Sequence, residues 1–260
     1  MSESQDNPYR ARKDYSYWKR AMVKPPFADV DPVTQVPFRI RRTDRIATAG
    51  SCFSQRISRA LVEQGYHFLV TEEPAEGVPG ENYRVYPARF GNIYTARQLR
   101  ETFDRAYGLF HPIDSVWRRE DGAFVDPFRP QIQAAGFPSE ARLLEDRRRH
   151  LAAVRAMFED CDVFVFTLGL TECWASKRDG AVFPLAPGVA GGSFDQTRFA
   201  FINFTPEEVV ADLQTFLDNV RVVNSSIRVI LTVSPVPIIA TYEDRHVLVS
   251  NTYSKSALRV

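Results

Sequence analysis

Residues 45–65 read RIATAGSCFSQRISRALVEQG, and a change of period inside this stretch decides the fold. Ile46, Ala47, Thr48 and Ala49 make a short apolar segment that runs into Gly50, Ser51 and Cys52. Phe53, Ile57 and Leu61 then fall on one helix face, and Gly65 is a stop signal. A buried strand therefore turns sharply through a glycine and delivers a hydroxyl and a thiol to a helix N-terminus. Free backbone N–H groups and the helix dipole favour a developing negative charge there. It is a good place for a nucleophile.

Upstream, residues 1–40 mix charge with Tyr15, Tyr17, Trp18 and several prolines, and read as an irregular N-terminal arm laid over a domain that spans 41–260. Downstream, Tyr66–Thr71 is a short strand candidate. It leads through a loop rich in Glu, Pro and Gly to Arg89-Phe90-Gly91-Asn92, ahead of a helix that Thr95 caps and that runs to Tyr107. Residues 109–138 are proline-rich and carry a hairpin signal, Val116–Val125 turning at Asp121-Gly122, which reads as an insertion over one face. Ser139 caps a long helix with Leu144, Leu151, Val154 and Phe158 on one stripe. That helix feeds the apolar run 162–168, a strand of the kind buried on both faces.

Gly169-Leu170-Thr171-Glu172 follows that run, and Asp179-Gly180 is a second hairpin signal. Thr205-Pro206-Glu207-Glu208 combines a cap, a first-position proline and a capping-box glutamate. The helix it starts buries Val209, Leu213, Phe216, Leu217 and Val220. Arg228–Val233 is the next apolar strand and ends at Ser234-Pro235, and residues 254–260 read as a helix barely begun. Helices alternating with buried strands predict an α/β fold, a doubly wound and mostly parallel sheet. Sites in such sheets lie outside the carboxyl ends of the strands. Three strands end here in small or polar residues, so the three ends are expected along one rim.

Composition narrows the function classes. The 260 residues are long enough for one large α/β core. With 33 basic residues against 32 acidic ones there is no electrostatic case for a nucleic-acid or anionic-membrane partner. No apolar run approaches the roughly 20 residues of a membrane span, and the N-terminal residues lack signal-peptide chemistry. Cys52, Cys161 and Cys173 show no metal-ligand spacing and point to a reduced, cytoplasmic setting.

GSCF after a strand, FTLGLTECW (166–174), the NF-TPEE helix start, LTVSPVP (231–237) and NTYSKSALR (251–259) resemble the GSCFA domain family over residues 40–260. That family looks like a distant branch of the SGNH (GDSL-type) hydrolases, mostly esterases and acyltransferases on a flavodoxin-like three-layer sheet. The first SGNH block is Gly-Asp-Ser. Gly50 matches it, Ser51 takes the aspartate's place and Cys52 the nucleophile's. A thiol at a helix N-terminus is chemically sensible, because the dipole favours the thiolate. Ser51 is the rival, and the alternative to both is a small residue packed under a tight turn.

Gly91 fits the second block, a backbone donor to the oxyanion, with Asn92 beside it; a glycine needed for positive φ is the alternative. In the third block, Gly-x-Asn-Asp, Gly169 matches while Thr171 replaces the asparagine and Glu172 the aspartate. Thr171 is then an oxyanion donor and Glu172 a base or histidine-orienting group, against a plain helix-start glutamate. The fourth block, Asp-x-x-His, is absent, so the expectation is a chain lacking its C-terminal part and its general base. His246, in Glu243-Asp244-Arg245-His246, is the substitute within the chain, against a plain exposed-loop histidine. His67, His111 and His150 read as structural or peripheral.

The resemblance implies an acyl-ester hydrolase or acyltransferase acting on a small-molecule or glycan acyl ester. It implies no metal or redox cofactor, and acyl-CoA only as a co-substrate of a transferase. A degenerate domain that binds a glycan or acylated ligand without turnover is the second reading. A scaffold whose aromatic arm docks a partner is the third.

Overall fold

A computed structural model describes residues 7–74 and 82–260, so part of the loop expected after Thr71 lies outside the described residues. The chain divides into residues 1–40 and 41–260. Among its described residues the first unit carries only short helical turns, Asp14–Ser16, Lys19–Val23 and Phe27–Asp29, with no buried residue in them.

The second unit is mixed α/β. Strands β1 (Ile46–Gly50), β4 (Val163–Leu168) and β8 (Arg228–Val233) form a parallel sheet in the order β1-β4-β8. Every residue of β1 and β4 is buried, as continuous apolar runs in a helix-covered parallel sheet should be. In register, Gly50 lies opposite Thr167 and Thr167 opposite Thr232, so the three carboxyl ends share one rim. β8 departs from the expectation of full burial. Among the described residues it pairs only with β4, and its residues are half-exposed, Leu231 more so.

Helices α1 (Ser54–Glu63), α2 (Ala96–Ala106), α3 (Glu140–Asp160), α4 (Pro206–Val223) and α5 (Val247–Arg259) surround the sheet strands in sequence. α1 ends in a left-handed glycine, Gly65 at φ 74°. The Gly65 amide bonds Val62 O and the Tyr66 amide bonds Leu61 O, the paired bonds of a Schellman stop. Thr95 and Thr205 both close full capping boxes, and Ser139 caps α3. Phe103, Phe158, Phe164 and Phe216 meet with ring centroids 5.3–6.0 Å apart and tie α2, α3, β4 and α4 into one core.

Beside this lies a small antiparallel sheet, β6-β5-β7, of β5 (Glu172–Ser176), β6 (Val182–Phe183) and β7 (Phe199–Asn203). Its β5–β6 turn is the Asp179-Gly180 hairpin, with Gly180 at φ 78°. The hairpin β2 (Trp117–Arg118) and β3 (Phe124–Val125) turns through Gly122.

Three expectations need correction. The segment 66–71 makes one parallel bridge, Ile46 to Phe68, and no strand. The chain then leaves the sheet because the Thr71 and Glu72 amides bond Pro87 O. On α3 the buried stripe runs through Leu143, His150, Val154, Met157 and Phe158, while Leu144 is exposed. An ion cluster around Asp146 and Glu72 turns the helix to that face. The last helix begins at Val247, seven residues before the expected start at 254, because the His246 ring caps it. Among the described residues no helix is long and apolar enough to cross a membrane.

Candidate functional site

The β1 tip is built by close approach. Gly50 has φ 139°, and a Cβ there would lie 2.3 Å from Thr167 O. The Ser51 amide donates to Thr167 O at 3.2 Å, and both the Ser54 amide and hydroxyl donate to Ser51 O. This turn separates the two rival nucleophiles. Ser51 is buried, and among the described residues its hydroxyl has no hydrogen-bond partner. Cys52 is exposed, two residues ahead of α1. Cys161 and Cys173 are buried thiols, and burial raises both above the ordinary range.

The loop after Gly91 is stitched between two strand ends. The Ile93 amide donates to Gly50 O at 2.8 Å, and Tyr94 O accepts from the amides of Gly169 (2.9 Å) and Leu170 (3.2 Å). Gly91 takes φ 73°, a left-handed conformation that favours glycine. The Asn92 side chain is engaged on both ends. Its Oδ1 accepts from Gln55 Nε2 at 3.2 Å, and its Nδ2 donates to Tyr94 Oη at 3.1 Å. Asn92 therefore clamps α1 to the loop. Burial pushes Tyr86 up to about 12 and Tyr94 upward, and the nearby Cys52 adds to both.

The third strand end splits its two candidates. Thr171 is fully buried; its amide donates to Ser254 Oγ at 3.0 Å and its hydroxyl to Asn203 Oδ1 at 2.6 Å. The hydroxyl is committed to that partner and does not line the cleft described below. Glu172 does line it, and its Oε1 accepts from the Thr241 hydroxyl at 2.8 Å.

Among the described residues none of the four histidines lines the two cavities at this rim. His246 Nδ1 accepts the Leu248 amide at 3.2 Å as the α5 cap. His150, fully buried, donates from Nδ1 to Glu72 at 2.8 Å.

α5 contributes a group that the sequence reading passed over. Lys255 Nζ donates to Gly169 O at 2.6 Å; burial lowers its pKa and the charge of Cys52 works the other way. Lys255 lies inside the NTYSKSALR motif, but only the packing of α5 on the β4 tip brings it near Cys52.

Ser51, Cys52, Gly169 and Glu172 open on a cleft of about 670 Å³, walled by the antiparallel sheet and by residues 234–242. Its volume falls in the roughly 300–1,000 Å³ range of small-molecule sites. A smaller cavity of about 220 Å³ includes Tyr86, Gly91, Asn92 and Arg129, and shares Tyr94 with the cleft. Two of the three strand ends thus converge on the cleft through Ser51, Cys52, Gly169 and Glu172, and the third through Ser234.

A family model, GSCFA family, matches residues 45–260. No curated protein and no solved structure matches the chain.

Proposed function

Because the chain belongs to the GSCFA family, we propose that it is an acyl-ester hydrolase or acyltransferase with Cys52 as nucleophile. The observation that carries this reading is the exposed Cys52 thiol on the wall of a 670 Å³ cleft, at a strand-to-helix turn. The Cys52 sulfur attacks the acyl carbonyl, and Glu172 takes the thiol proton. The C–O bond to the alcohol breaks and the alcohol leaves with that proton. Water, or an acceptor hydroxyl in a transferase, then attacks the thioester and restores the thiol.

The Cys52 N–H holds the oxyanion, the role that a preorganised donor fills in acyl transfer; Gly91 lines the smaller cavity, which shares Tyr94 with the cleft, and not the cleft itself. Lys255 adds positive potential beside it. Glu172 is preferred to His246 as proton acceptor because it shares the cleft with Cys52, whereas His246 Nδ1 holds the start of α5. Thr171 is left out of the oxyanion site because Asn203 takes its hydroxyl.

The fold reading that accompanies this is the doubly wound, flavodoxin-like sheet of the SGNH hydrolases. The lateral order Phe68 bridge, β1, β4, β8 supports it, since that is the order in which such sheets place a site at the switch between their first and third strands. Three free cysteines favour a reducing, cytoplasmic setting.

Intact-mass analysis after incubation with a chromogenic acyl ester tests the nucleophile. An acyl adduct on Cys52 is expected, and Cys52→Ala should lower kcat/KM by on the order of 100-fold or more. Undiminished turnover in Cys52→Ala would sink the assignment. A second reading, a domain that binds a glycan or acylated ligand without turnover, is favoured by the commitment of the Thr171 hydroxyl to Asn203. Burst release of the alcohol rules that reading out.

A further inference from the structure

The cleft lining is mostly apolar. Ser51, Cys52, Gln98, Glu172 and Thr241 bring polar groups to it, and much of the rest is hydrocarbon and aromatic, among it Leu170, Leu185, Val236 and Ile238. Trp174 gathers an aromatic group on the lining, with Tyr242, Phe194 and Phe201 around it at centroid distances of 4.7, 5.1 and 5.8 Å. Among the described residues Glu172 is the one charged side chain on the lining, and its Oε1 accepts from the Thr241 hydroxyl. Large apolar side chains stand exposed along the lips, with Val189 at 68% and Tyr242 at 65%. A contiguous apolar surface of this kind marks a place where something apolar is covered.

We infer that this cleft is a chain-binding subsite, and that the substrate class is an ester of a medium- or long-chain fatty acid rather than an acetate ester. The inference rests on the reading of Cys52 as the acyl acceptor. The occupant is fixed by what the lining demands. Cys52 is the nucleophile and so requires a carbonyl. The apolar side chains offer wall over a volume far larger than a methyl group fills. A sugar or a polyanion would have to lose most of its hydration against Leu185, Phe201, Val236 and Ile238, and only a few lining groups, such as Gln98, Thr241 and the Tyr242 hydroxyl, could replace it. An alkyl chain has no hydration to lose.

The test separates binding from chemistry by using probes that cannot react: straight-chain primary alcohols of six to ten carbons, titrated against the whole chain by calorimetry. Affinity is expected to rise about fourfold per added methylene, the fold-change that corresponds to about 0.8 kcal/mol per buried CH₂. Cys52→Ala should bind the alcohols as the parent does. Phe201→Asp and Val236→Asp, both on the lining, should each weaken the longest alcohol at least tenfold while circular dichroism stays that of the parent. Affinity that ignores chain length, or that survives both wall substitutions, overturns the subsite. So does adsorption to phosphatidylcholine vesicles without saturable alcohol binding, which would make the lips a surface anchor. The two readings fail separately. Graded alcohol binding without ester turnover keeps the hydrocarbon subsite and removes the Cys52 chemistry, whereas turnover without chain-length dependence removes the subsite alone.

Discussion

Gly50 shows how little room a single position can leave. Its φ of 139° is one that residues with a Cβ rarely adopt, and the missing Cβ would meet the Thr167 carbonyl oxygen. The strand can turn there only because the side chain is absent. Relaxing the clash would push the β1 tip off β4 and carry Ser51 and Cys52 with it. Gly50→Ala should therefore cost about 3 kcal/mol or more from overpacking and backbone strain together, read as a shift of the urea midpoint. A variant as stable as the parent would show that the turn is not wedged in this way. Ser51 next door is the counterpart. Its buried hydroxyl has no partner among the described residues, a feature native interiors seldom leave in place without a reason.

At the scale of elements, the molecule is joined by charge where apolar patterning gives no hint. Asp146 on α3 receives Arg89 at 3.2 Å and Arg129 at 2.5 Å. Asp126 receives Arg129 and Arg147, and Glu72 receives the Arg89 amide and His150. Burial alone would raise Asp126, but the surrounding guanidinium groups outweigh it and hold the carboxyl well below its usual range. This cluster binds α3, the segment 126–132 and the loop that carries Gly91 into one unit behind the candidate site. Asp146→Ala leaves two buried guanidinium groups without their shared carboxylate and should cost about 3–5 kcal/mol. Chemical denaturation measures it, and a loss below 1 kcal/mol would show that the cluster repacks.

For the molecule as a whole, two buried glutamates bend stability against pH in opposite senses. Burial would raise Glu72, but the His150 hydrogen bond, the Arg129 charge and the Arg89 amide overcome it and hold the carboxyl at about 2, below its ordinary 4.5. Its contribution is complete above pH 4.5 and is lost as pH falls toward 2. Burial pushes Glu101 the other way, up to about 8. Its contribution is complete below pH 4.5 and is lost as pH rises toward 8. Calorimetric Tm values should show Glu101→Gln gaining on the parent between pH 5 and pH 8 while keeping the same acid limb. A constant gap across that range would mean that Glu101 titrates normally.

By itself the sequence determined the local facts: the strand-turn-helix at 46–63, the caps at Thr95, Ser139 and Thr205, both glycine hairpins and the thiol at the β1 tip. Each depends on neighbours within a few positions, where hydrogen-bond geometry and side-chain spacing leave few choices. The tertiary structure alone decided what meets what. It turned Thr171 toward Asn203, took His246 as a cap, rotated α3 so that Leu143 rather than Leu144 is buried, and brought Lys255 onto the Gly169 carbonyl. It also raised the antiparallel sheet that walls the cleft. Those outcomes depend on partners tens of residues away, and no spacing along the chain encodes the distance between groups that only packing brings together.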